Sequence, residues 1–304
     1  MRRRWGVWLG LGLVMVCLAG APRPARAQTT ADAPNVSWAR DGAITGAAVI
    51  GAALASLIPV DRTALWQRQL LPIDDRLEGR FSQSAAQTSD TLAAIDVVTP
   101  LGLLVGQGGL VEANDRRLLL YGETVAVSVF LNSVTKYLVG RPRPYFYSDD
   151  PRLKEYAEAQ GKDSHLSFFS GHASTTFAAS VAGSYLYSQV ATDAKSRAAV
   201  WGFELVLAGA TADLRTRAGK HFYSDVIVGA VVGAAVGFLV PHLHGGPSYD
   251  PSVGEWIVIG TAPVVGVALA QLMPFKQNML EPLGTIALPW IAPGGGGVLL
   301  ARQF

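Results

Sequence analysis

The sequence predicts an all-α, membrane-embedded bundle of six helices followed by a small C-terminal appendage, on three observations. Six apolar runs of near-spanning length recur: Ala43–Val60, Thr91–Val111, Leu118–Val139, Ala173–Val190, Ala198–Leu214 and Val226–Val240. A bilayer span takes about twenty residues, with about seventeen as the lower limit. Half of the chain is hydrophobic, only 16% is charged, and the mean hydropathy is positive, which suits lipid or an unusually apolar bundle. At 304 residues the chain suffices for one substantial domain or two small ones. Its net charge of +2 is too small to argue for nucleic acid as a partner.

The chain opens on Met1 and three arginines, then the apolar stretch Trp5–Gly20 and Ala25-Arg26-Ala27. This is the pattern of a secretory signal spanning 1–27, and an uncleaved anchor helix is its alternative. The one cysteine, Cys17, lies inside that segment, so disulfides and zinc–thiolate sites are not expected. Residues 28–244 read as the helical domain and 245–304 as the appendage. A cleaved signal leaves the mature N-terminus outside, whereas six spans with the third ending outside start inside. A peripheral or soluble exported bundle therefore stays open beside the membrane reading.

Between the first two runs, Asp61–Asp90 mixes charges with Trp66, Leu70 and Leu71 and reads as a solvated loop or an interfacial helix. The third run stops at Gly140, where Pro142 and Pro144 forbid a regular helix. Lys136 then projects from its last turn and Arg143 from the loop. Tyr145–Leu166 is polar and reads as a lid or rim, with His165 as a surface histidine. Ser170 and Gly171 open the fourth helix, Ser170 as N-cap and Gly171 as a point of close backbone approach, and a helix N-terminus suits an anion. In the last run Gly229, Gly233 and Gly237 recur every four residues, which permits close helix contact. His242 and His244 follow Pro241, with no carboxylate at ligand spacing to mark a metal site.

In the appendage, Glu255–Leu272 leaves helix and strand undecided. Thr285–Trp290 and Val298–Phe304 flank Pro293 and four glycines, which reads as a β-hairpin.

Three clusters at the edges of these apolar runs carry the chemistry: Lys136 to Arg143-Pro144, Ser170-Gly171-His172, and Arg215 to His221 to Asp225. Charges beside apolar segments are costly unless paired or used. Arg supplies a planar fork of donors and Lys a compact charge, so Lys136, Arg143 and Arg215 form a cradle for the charge of a five-coordinate phosphorus. His221 and Asp225, four apart, share one face if helical. The carboxylate can then hold a proton on one imidazole nitrogen and leave the other to attack phosphorus. His172 remains as the general acid for the leaving oxygen.

These residues resemble the type 2 phosphatidic acid phosphatase superfamily, whose signature reads K-x6-RP, PSGH and SR-x5-H-x3-D. Lys136 to Arg143-Pro144 fits in full, Phe169 stands where the family usually has Pro, and Leu214 stands in place of the usual Ser. The resemblance covers about 118–243. It implies a six-helix bundle of the phosphatase/haloperoxidase type, His221 as the nucleophile, Asp225 orienting it, and His172 as acid and then base. Lys136, Arg143, Ser170, Gly171 and Arg215 bind the phosphoryl oxygens. It implies no cofactor, no metal and no required protein partner. The expected reaction is metal-independent hydrolysis of a lipid phosphate or pyrophosphate, at an inner membrane with the site facing the periplasm. The alternatives are a soluble exported acid phosphatase on small phosphomonoesters, a vanadate-dependent haloperoxidase, and a non-catalytic lipid-binding membrane protein.

Overall fold

The computed structural model describes residues 33–60, 71–109 and 111–277, together with the backbone of two strands at 285–292 and 295–302. The expected signal segment lies outside the described residues. The bundle is all-α. Its helices are α1 (Trp38–Ala55), α2 (Gln83–Gly108), α3 (Glu112–Val139), α4 (Pro151–Ala159), α5 (Gly171–Ser188), α6 (Ala194–Arg217), α7 (Tyr223–Leu243) and α8 (Val253–Gln271).

Most of the helix starts obey local capping chemistry. Ser37, Ser82, Asp150, Ser170, Asp193 and Ser252 each accept a hydrogen bond from a backbone N–H in the first turn, which satisfies a donor the helix leaves unpaired. At the other end of α3, Gly140 sits at φ 63° and stops the helix as a left-handed cap.

The described residues thus hold eight α-helices, not six. One addition, α4, is short and polar, so no apolar run announces it; Pro151 sits in its first turn behind the Asp150 cap. The other, α8, settles the undecided stretch of the appendage. Its β-branched opening is overridden by a reciprocal capping box of Ser252 and Glu255 and by packing along α6. There Gly209 abuts the backbone of Pro263, and Gly266 abuts the Val206 carbonyl. The first half of the expected appendage is therefore part of the bundle. In its second half β1 (Thr285–Ala292) and β2 (Gly295–Arg302) pair antiparallel.

Four helical segments are long and apolar enough to cross a membrane: Gln83–Gln107, Glu112–Tyr147, Tyr223–Leu243 and Val253–Gln271. They carry outward-facing Val98, Leu131, Val231, Ile257 and Val264. These are the marks of a membrane protein. Three expected spans are not among these four: α1 carries Arg40 and Asp41 in its first turn, and α5 and α6 are interior helices. Nearly all of α5 is buried, and α6 carries Glu204 and Asp213 into the bundle. There Ser180 of α5 donates to Asp96 Oδ1 of α2 at 2.9 Å.

Candidate active site

At one end of the bundle the N-termini of α2, α5 and α7 meet the C-termini of α3 and α6. The closest approach is between α5 and α7. A Cβ on Gly229 would stand 2.6 Å from the Ser170 carbonyl, and the Ser170 N–H donates to the Asp225 carbonyl at 3.0 Å. Gly233 and Gly237 continue the contact against the backbone of Ser174 and Ala178, so the glycine spacing does what it predicts.

His221 lies in the turn before α7, one residue ahead of the N-cap Phe222. It is 1% exposed. Its Nδ1 is 2.8 Å from the Ser167 carbonyl; a carbonyl only accepts, so Nδ1 bears the proton and Nε2 keeps its lone pair. Burial first, and then the nearby charges of Arg143, Lys136 and Arg215, hold the His221 pKa well below the ordinary imidazole value. The ring is neutral at pH 7.

This geometry corrects the expected His221–Asp225 pairing. His221 is not helical, so the one-face argument does not apply. The Asp225 carboxylate is taken by the Ser167 hydroxyl at 2.5 Å, the Phe222 N–H at 2.9 Å and Arg141 at 2.5 Å. Asp225 therefore reaches His221 through Ser167, whose hydroxyl it grips and whose carbonyl faces the ring.

The cradle residues divide by what holds them. Arg143 is fully committed: Nε and Nη2 donate to the carbonyl and carboxylate of Asp163, and Nη1 donates to the Lys220 carbonyl. Arg215 pairs with Asp90 at 2.9 Å and bonds Ser89 at 3.0 Å, and its buried Nε has no hydrogen-bond partner. The Lys136 ammonium lies 3.3 Å from where a Gly171 Cβ would stand, with no hydrogen bond or ion pair among the described residues. Ser170 is buried and its hydroxyl faces the Ala173 N–H at 3.4 Å, so it serves the helix cap. Asn132 fixes the turn ahead of it by donating to the Phe169 carbonyl at 2.7 Å.

Several residues here escaped the sequence reading. Asp90 of α2 bonds both His172 Nε2 and Arg215 Nη1 at 2.9 Å. Arg141, inside the first motif, is 1% exposed and bridges Asp225 to Asp74 of the loop before α2. Lys220 donates to Tyr156 at 2.7 Å among the rings of Phe81, Tyr145 and Tyr156. Burial, with Arg143 beside it, lowers its pKa to about 7. Asp163 keeps a lowered pKa because Arg143 and Lys220 outweigh its burial. His165 is buried against Phe146, not at the surface. No spacing rule marks any of these, since each acts through a partner distant in sequence.

A bundle end that collects two imidazoles, three arginines and two lysines, with donor capacity left over, is built for an anion. It belongs to the class of helical enzymes that handle phosphate esters. Residues 117–247 match the PAP2 superfamily, and the chain carries a domain of that superfamily, the type 2 phosphatidic acid phosphatases. Its chemistry is phosphate-ester hydrolysis. The matched span holds every site residue expected from the sequence, while Asp74 and Asp90 lie before it. No solved structure matches the chain.

Proposed function

We propose that this chain is a metal-independent phosphatase that hydrolyses a lipid phosphate or pyrophosphate through a phosphohistidine on His221. The observation that carries the reading is the His221 ring, with its proton held on Nδ1 by the Ser167 carbonyl among the charges of Arg143, Lys136 and Arg215. Its Nε2 lone pair forms the bond to phosphorus as the phosphorus–oxygen bond to the leaving group breaks. His172 gives its proton to the departing oxygen. A water then attacks phosphorus, loses a proton to His172, and releases phosphate and neutral His221.

Lys136 and the unpartnered Nε of Arg215 are the donors for phosphoryl oxygens, with the Gly171 amide beside them. Arg143 shapes the site from behind by fixing Asp163 and Lys220. Asp90 aligns His172 and Arg215. The lipid assignment rests on the four apolar segments and their outward-facing aliphatic side chains. The orientation, with the site toward the periplasm, rests on Arg116, Lys195 and Arg197 near the opposite end.

The test is phosphate release by wild type and His221→Ala with EDTA present, on undecaprenyl pyrophosphate, phosphatidic acid and p-nitrophenyl phosphate. Release that depends on His221 and favours a lipid is the expected result. Release only from p-nitrophenyl phosphate moves the reading to a soluble-substrate phosphatase. Loss of activity on chelation, restored by magnesium, overturns the mechanism.

A further inference from the structure

At the end of the bundle away from the hydrolytic site, three groups far apart in sequence meet: Asp41 in the first turn of α1, Glu123 in α3, and His244 at the C-cap of α7. One ligand atom from each lies within 4.8 Å of the others. Asp41 is 0% and Glu123 3% exposed.

The hydrogen bonding around them leaves lone pairs facing one another. His244 Nδ1 is 2.7 Å from the Val240 carbonyl, so that nitrogen carries the proton and Nε2 presents its lone pair, 3.5 Å from Asp41 Oδ1. Buried Glu123 Oε2 has no hydrogen-bond partner. The cation at hand, Arg40, is spent on Asp41, with Nε to Oδ1 at 2.5 Å and Nη2 to Oδ2 at 3.2 Å. The Ser37 N–H also serves Asp41 Oδ2. Buried acceptors that meet without a donor are costly until a cation lies between them.

We infer that Asp41, Glu123 and His244 form a binding site for a divalent transition metal, zinc foremost, which ties α1 to α3 and α7. One imidazole nitrogen with two carboxylates is a ligand set zinc accepts, with a fourth position left to water. Bonds of about 2.0–2.2 Å put tetrahedral ligand atoms roughly 3.4 Å apart, so the three groups close by about an ångström on binding. An imidazole whose second nitrogen donates to a backbone carbonyl is already fixed in the tautomer a metal needs. The sequence hid the site because its carboxylates stand on two other helices.

The test uses the purified chain without an affinity tag, stripped with a chelator and titrated with zinc chloride, reading bound metal and thermal midpoint. One zinc per chain with a rise of several degrees is expected. Glu123→Gln and His244→Asn should each weaken binding at least tenfold and lose that rise. Should either variant fail to fold, zinc-edge X-ray absorption of the loaded wild type should show a single imidazole among oxygen ligands. Wild type without stoichiometric zinc overturns the site, as do variants that bind zinc like wild type or a zinc shell without imidazole. A thermal midpoint that follows pH but ignores zinc assigns the cluster to a proton on His244 instead, and overturns it too.

Discussion

The two ends of this bundle leave opposite kinds of hydrogen-bonding capacity unspent, donors at one and acceptors at the other. At the hydrolytic end Arg141 and Arg143 are saturated by carboxylates and carbonyls, while Lys136 and Arg215 Nε keep donors in reserve. At the far end Arg40 is the spent group, and the reserve is of acceptors, on Glu123 and His244. A raw count of charges would miss this. The sign of the ligand follows from what remains after internal partners are satisfied.

The sharpest way to break the comparison is to remove one functional group from each end. His221→Ala should lower phosphate release on the order of 10⁶-fold, as loss of a hydrolase nucleophile does, without unfolding the protein. Glu123→Gln, assayed beside it without zinc, should keep turnover within about twofold of wild type; a matching loss would show the ends are not independent. Next in size, Arg215→Ala should cost roughly 10²–10³ in kcat, as removal of one donor to a charge-developing oxygen does. A change confined to KM would instead make Arg215 a binding group.

Smaller effects distinguish direct from relayed contacts. Asp225→Asn and Ser167→Ala should each lower kcat roughly 10–100-fold, the scale of an orienting partner one bond removed. A loss near 10⁴ for Asp225→Asn would mean it grips His221 itself during turnover. In the pH profile, His221 stays neutral below the ordinary imidazole value of about 6.5, because burial and the three cations depress its pKa. The acid limb of kcat/KM should therefore fall below that value, and a limb at 6.5 or above would contradict it. The smallest effect concerns stability. Lys220 gives up its proton at about 7 in the native state, whereas the unfolded chain holds it to about 10.4. Between those values the unfolded state binds more protons, so this group makes the native state gain stability as pH rises. Lys220→Met should flatten that slope in thermal midpoints taken across it.

Much of this was legible before any coordinates. The Ser170 cap, the Gly140 stop, the glycine ridge and the gathering of the three motifs follow from local chemistry and periodicity. What stayed hidden has one cause. Asp90, Ser167, Asp74 and Glu123 are ordinary polar residues whose meaning lies in a partner brought near by packing. Ser167 contributes a carbonyl, and a backbone group has no letter in the sequence. The count of spans erred for a related reason, since α5 and α6 are apolar through being interior, while α8 faces outward with a β-branched start.

The contact of α5 with α7 has a consequence for motion. Where Gly229, Gly233 and Gly237 lie on the backbone of Ser170, Ser174 and Ala178, the helices bearing His172 and leading from His221 have no slack to slide or part. In the proposed mechanism the acid and the nucleophile therefore ride on one rigid rod. Admission of substrate and departure of phosphate then fall to the opposite wall, the 145–166 segment latched by Asp163 on Arg143 and Tyr156 on Lys220. In the proposed mechanism one wall of the site is thus held by backbone contact and the other by side-chain contacts alone.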